Sequence, residues 1–159
     1  MENARDLRAV MDTISTRSVY YAVIASGEVH TSRHEVAAFY QEMFDAVPDL
    51  RVEVERITVD HARRRAVVED RVSGTLVRSA WGLAPTHRFF EIRTAVFYAF
   101  DEQGKLTEEI SYFDKNELLE SMGIICNTKT ELGRFWMIFL QSPIYALRCA
   151  AASLLAQRP

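Results

Sequence analysis

The sequence predicts one α+β domain: a helical start, then a four- to five-stranded, mostly antiparallel sheet, then a helical C-terminal extension. Three observations predict it. Runs rich in β-branched and aromatic residues recur between turn signals, several with two-residue alternation. One long stretch, Arg33 to Val47, repeats its apolar side chains at three and four. Beyond residue 124 the chain becomes apolar and carries helix-start signals, which divides it into a domain at 1–124 and an extension at 125–159.

Taken in order, residues 5–12 predict a short helix with Leu7, Val10 and Met11 on one side. Ser18 to Ala25 reads as a strand, broken by Ser26-Gly27. Thr31 or Ser32 caps the helix from Arg33, whose stripe is Val36, Phe39, Tyr40, Met43, Phe44 and Val47; Pro48-Asp49 ends it. Leu50 to Val59 alternates Val52, Val54 and Ile57 with charged residues. Arg65 to Arg78 follows as its hairpin partner. The loop Trp81 to Thr86 leads to a strand at Arg88 to Phe100, the turn Asp101 to Gly104, and a partner strand at Lys105 to Phe113. A helix at Lys115 to Met122 ends on Gly123. In the extension, Thr128-x-x-Glu131 reads as a capping box opening a helix through Leu140, and Ser142-Pro143 as the start of another to about Ala156.

Composition excludes some classes. Of 159 residues 48% are hydrophobic, enough for a core, and the net charge of −3 gives no basic surplus for nucleic acid. The densest basic run, Arg63-Arg64-Arg65, falls at a hairpin end. Cys126 and Cys149 lack metal-ligand spacing and read as reduced thiols of a cytosolic protein. The first residues, MENARDLRAVMD, lack the apolar centre of a secretory leader, so a cytoplasmic protein is expected.

Alternate side chains of a strand face opposite sides. Strict alternation puts Asp114 with Leu106, Ile110 and Tyr112, and Asp70 with Val68, Val72 and Leu76, both on the more apolar side. A carboxyl group buried there has a raised pKa suited to proton transfer. Two competing readings stand beside this one: Asp114 as the cap of the helix at Lys115, and Asp70 as the ion-pair partner of Arg71, Arg88 or Arg93.

From Gly74 to Gly123 a set of motifs occurs in order: Gly74-Thr75-Leu76; Gly82-Leu83-Ala84-Pro85-Thr86-His87; Gln103-Gly104-Lys105-Leu106; Ser111-Tyr112-Phe113-Asp114; and Met122-Gly123, with Pro48-Asp49-Leu50 upstream. This order resembles the SnoaL-like polyketide cyclases. The resemblance implies the cone-shaped fold of nuclear transport factor 2, a curved sheet wrapped by helices around an apolar pocket. It also implies that Asp114 is the acid–base in an intramolecular aldol ring closure of a polyketide ester, with no metal or organic cofactor. Leu76 replaces the family's histidine, His87 replaces a loop glycine and could supply an imidazole, and the first helix is short.

The sequence therefore leads to a cyclase or isomerase acting on a small apolar secondary metabolite. Asp114, Asp70 and His87 are its catalytic candidates, Tyr20, Trp81, Tyr98, Tyr112 and Leu76 its substrate-binding candidates, and Tyr21 a further cavity-lining candidate. A non-catalytic binder of a hydrophobic ligand, or a dimerisation module, is the alternative. Epoxide hydrolysis ranks third: the segment Glu109-Ile110-Ser111-Tyr112-Phe113-Asp114 resembles the last strand of the limonene epoxide hydrolases, but Ser111 stands where that family has its catalytic aspartate. A homodimer is expected. The extension packs on its own domain, on a dimer mate, or against a membrane surface through 131–156.

Overall fold

The computed structural model describes residues 2–126 and 130–136. After a short 3-10 turn, α1 spans Leu7–Thr13, capped by Asp6, whose carboxylate accepts from the Ala9 amide at 3.0 Å. α2 spans Arg33–Ala46. Ser32 and Glu35 form a reciprocal capping box at its start, and Val36, Phe39, Tyr40 and Phe44 are its buried stripe. The Arg33 guanidinium donates to the carbonyls of Met11 and Ile14, tying the end of α1 to the start of α2.

Six strands form one sheet in the order β2-β1-β6-β5-β4-β3. They are β1 (Tyr20–Val23), β2 (Glu28–His30), β3 (Arg51–Asp60), β4 (Arg65–Thr75), β5 (Phe89–Phe100) and β6 (Leu106–Phe113). β1 and β6 pair in parallel; the other pairs are antiparallel. α3 (Lys115–Ser121) follows β6. The α+β class and the mostly antiparallel sheet agree with the sequence. The additional strand is β2, whose three residues are too short to reveal alternation; Gly27, at φ +79°, turns the chain between it and β1.

Two bulges decide which side chains face inward. In β3 the register slips between Val54 and Arg56, so Val52, Val54, Ile57 and Val59 share one face while Glu55 and Arg56 both lie on the other. The polar pair between Val54 and Ile57 is its trace in the sequence. In β6 Glu108 pairs with Ala99 but Leu106 with Phe100, leaving Thr107 as the extra residue. Strict alternation from Leu106 therefore picks the wrong face beyond this point: Glu109, Ser111 and Phe113, not Glu108, Ile110 and Tyr112, face the interior.

Gly74 is required where the end of α2 meets β4, since a Cβ there would sit 2.3 Å from Val47 Cγ1. The Asp49 carboxylate braces the same corner, accepting from the Thr75 amide and hydroxyl at 2.7 and 2.8 Å. The core lies between α2 and the concave face of the sheet.

In the extension, residues 131–136 are helical, and Thr130 supplies the cap: its hydroxyl accepts from the Gly133 amide at 3.0 Å. Thr128, Cys149 and the helices expected through Leu140 and from Ser142 lie outside the described residues. Among the described residues, no helix is long and apolar enough to cross a membrane.

Candidate functional site

A cavity of about 200 Å³ lies between α2 and the concave sheet face. Most of its wall is apolar: Phe39, Tyr40 and Met43 from α2, with Val72, Phe90, Ile92 and Val96 from the sheet. A few polar groups interrupt that wall, the usual makeup of a small-molecule site. They are Asp70, Thr94, Glu109 and Ser111 on the sheet, with Ser26, Glu28 and Lys115 from the surrounding segments.

Asp70 is the central one. It is 5% exposed on β4, directly opposite Thr94 on β5. The Thr94 hydroxyl donates to its carboxylate. Burial pushes the Asp70 carboxyl above the ordinary aspartate range; the Thr94 hydrogen bond pulls the other way and loses, and the Glu55 carboxylate adds a smaller upward push. The expected ion pair with an arginine does not form. Arg71, the next residue along the strand, points to the convex face and binds Glu55 at 2.7 Å and Glu91 at 3.0 Å, with Arg93 on the same face 3.9 Å from Glu55. Arg88 packs instead against Gly123.

Glu109 is the second buried acid of the cavity, between Tyr98 on β5 and Tyr21 on β1 in the sheet register. Sequence reasoning missed it because the bulge at Thr107 reverses its face. Of the two β1 tyrosines considered for the cavity, Tyr21 lines it, while Tyr20 is exposed. Trp81 and Tyr98 line the cavity as expected. Trp81 is held by a turn in which Trp81 and Gly82 both have positive φ, closed by reciprocal hydrogen bonds between Ala80 and Leu83. Its amide also donates to Glu42 at 3.2 Å.

The remaining sequence candidates lie elsewhere. Asp114 is exposed, caps α3 and is not among the lining residues; one carboxylate oxygen accepts from the Asn116 amide at 2.8 Å and from Glu117 at 3.4 Å. His87 is exposed in its loop, with φ +52°. Tyr112 packs edge-on against Phe97 on the convex face, and Leu76 is fully buried in the core. Replacing Asp114 with alanine should therefore cost about 0.5–2 kcal/mol through loss of a helix cap, measured by urea unfolding, with ligand binding in the cavity unchanged. Lost binding in a variant that stays folded would return Asp114 to the site.

Among the described residues, no group of three or more His, Cys, Asp or Glu is placed to hold a metal ion.

The family model for the SnoaL-like polyketide cyclases matches residues 1–122. The chain belongs to that family. No curated protein matches the sequence. Solved structures similar to this SnoaL-like chain include AclR from Streptomyces galilaeus, a candidate hydroxylase, with 20% identity over 79% of each chain and a TM-score of 0.65. TsrD from Streptomyces laurentii is 18% identical over 78% of this chain and 87% of its own, with a TM-score of 0.66. A protein of ketosteroid isomerase-like fold from Catenulispora acidiphila, solved with trimethylamine, is 12% identical over 77% of this chain and 85% of its own, at a TM-score of 0.64. At these identities the structures establish the fold alone, and it is the cone-shaped fold the motifs imply. Within it, this SnoaL-like chain carries its buried carboxylates on β4 and β6 of the cavity wall and a leucine at position 76.

Proposed function

We propose that this chain is a cofactor-free cyclase or isomerase for a small apolar metabolite, with Asp70 as the group that moves the proton. A single observation carries this reading: a carboxyl group buried in an apolar cavity, with a pKa raised by that burial and a hydroxyl fixing one of its oxygens. A carboxylate of raised pKa is a stronger base than an ordinary one. Asp70 would take a proton from the carbon beside a carbonyl and so form the enolate. As a carboxylic acid, it would then return the proton to the new alkoxide in a ring closure, or to a different carbon in an isomerisation. Trp81 and the apolar wall would hold the substrate and keep water out.

The reading is tested by exchange of α-protons for deuterium in small cyclic and aromatic ketones, followed by NMR. The base form of Asp70 is needed, so the rate should rise with pH through a midpoint above the ordinary aspartate value. Thr94→Val removes the group that favours the charged carboxylate and should move that midpoint to still higher pH. An unmoved midpoint in a folded Thr94→Val variant would separate Asp70 from the titration.

A non-catalytic binder is the second reading, favoured by Leu76 at the histidine position of the family motif. It predicts a ligand retained in native mass spectrometry with no exchange in any probe.

A further inference from the structure

The cavity has two polar ends, and the sheet register sets how far apart they lie. Asp70 and Thr94 make one end. One Asp70 carboxylate oxygen takes the Thr94 hydroxyl; the other has no hydrogen-bond partner among the described residues, on a side chain 5% exposed in the cavity wall. Glu109 makes the other end, with Ser111 two residues further along the same face of β6 and Glu28 on β2 beyond Val23. The register runs from Asp70 across Thr94 to Phe113, and Glu109 is four residues back along β6 from there. That is two strand spacings, about 10 Å, across the sheet and about 13 Å along it. A ligand filling the cavity meets the two ends with different parts of itself.

The Glu109 end is aromatic. Tyr21 and Tyr98 are its cross-strand neighbours, and both line the cavity. The Tyr21 ring centre lies 5.0 Å from that of Phe39 and 5.8 Å from that of Tyr40, and these two lining rings are 5.9 Å apart. Aromatic faces attract cations, and a carboxylate buried away from water attracts them more strongly than one in solvent. The charge balance points the same way. The lining holds three acids, Glu28, Asp70 and Glu109, and one base, Lys115, which is exposed at the start of α3. Residues 1–126 as a whole carry 21 acidic against 15 basic side chains. Such a site repels a carboxylate or phosphate and draws in a cation.

We propose that the substrate is an amino ketone, its amine held as an ammonium ion at the Glu109 end beside Tyr21 and Tyr98, its reacting carbon at Asp70. The separation of the ends lets both contacts work at once. An ammonium ion on Asp70 itself would occupy the base, whereas one at Glu109 leaves it free. The substrate class rests on the function proposed above; the amine contact at Glu109 does not depend on Asp70 being catalytic.

Calorimetric titration of the full-length chain at neutral pH tests it, with phenethylamine, phenethyl alcohol and phenylacetate as probes of one size and three charges. The amine should bind about tenfold or more tightly than the alcohol, and the carboxylate more weakly than either. Glu109→Gln should bring the amine down to the alcohol and leave the alcohol unchanged, with circular dichroism native. Tyr98→Leu, which removes a ring and keeps the acid, should narrow the preference and serves as the second variant if Glu109→Gln does not fold. Asp70→Asn should keep the preference. An alcohol that binds as well as the amine, no binding by the amine, or a preference kept in Glu109→Gln and lost in Asp70→Asn would overturn the proposal. Absence of α-proton exchange in the native chain would remove the catalytic reading and leave the amine preference standing, so the two fail separately.

Discussion

Asp70→Asn is expected to fold, to unfold at a higher urea concentration than the native chain at neutral pH, and to lose about 10²–10⁴-fold in turnover. The two effects have one origin. Burial raises the Asp70 carboxyl above its ordinary value in the folded chain. An unfolded aspartate titrates near 3.9. Between that value and the raised one, the folded state binds more protons than the unfolded state, so stability falls as pH rises. Above the folded-state pKa the cost is present in full; below about 3.9 it vanishes. Asparagine keeps an oxygen for the Thr94 hydroxyl and carries no charge, so its advantage should be largest at neutral and alkaline pH and fade toward pH 4. Urea midpoints of both proteins across this range check the sign. A variant less stable than the native chain at neutral pH would mean that Asp70 is held as a well-compensated anion, and the proton-transfer reading would lose its basis.

Leu76→His is the second large effect. It restores the histidine of the family motif, and a sequence comparison alone would predict a gain of function. The structure predicts a loss. Leu76 is fully buried, it packs in the apolar core, and it is not part of the cavity lining. An imidazole there would exchange dispersion contacts for a desolvated polar ring, at a cost of about 2–4 kcal/mol. Thermal and urea unfolding would read this directly. Higher turnover, with stability unchanged, would place position 76 at the site after all.

How much of this was legible in the sequence depends on chain geometry rather than on residue type. The stripe of α2 and the Ser32 cap were readable because a fourteen-residue helix repeats its pattern several times. β3, β4, β5 and β6 were readable within a few residues for the same reason. The three residues of β2 offered no repeat at all. The faces of β6 were the costly error. Alternation assumes two residues per period throughout, and one extra residue at Thr107 inverts everything after it. That inversion brought Tyr112 and Asp114 to the pocket on paper and sent Glu109 outside. β4 has no such slip against β5, and there the same argument placed Asp70 correctly on the inner face. Its partner could not be read from sequence order. The arginine beside it points to the opposite face, and the hydroxyl that binds it comes from a strand 24 residues away. The competing reading of Asp114 as a helix cap, by contrast, needed only the three residues that follow it.

The central claim is that the acid of the cavity, and not the acid of the motif, moves the proton. It is tested most directly by measuring α-proton exchange in Asp70→Asn and Asp114→Asn side by side, on a ketone probe that the native chain exchanges. Asparagine caps a helix as well as aspartate does, so both variants should stay folded. The account predicts that exchange is lost in Asp70→Asn and kept in Asp114→Asn. Exchange kept in Asp70→Asn and lost in Asp114→Asn would contradict it.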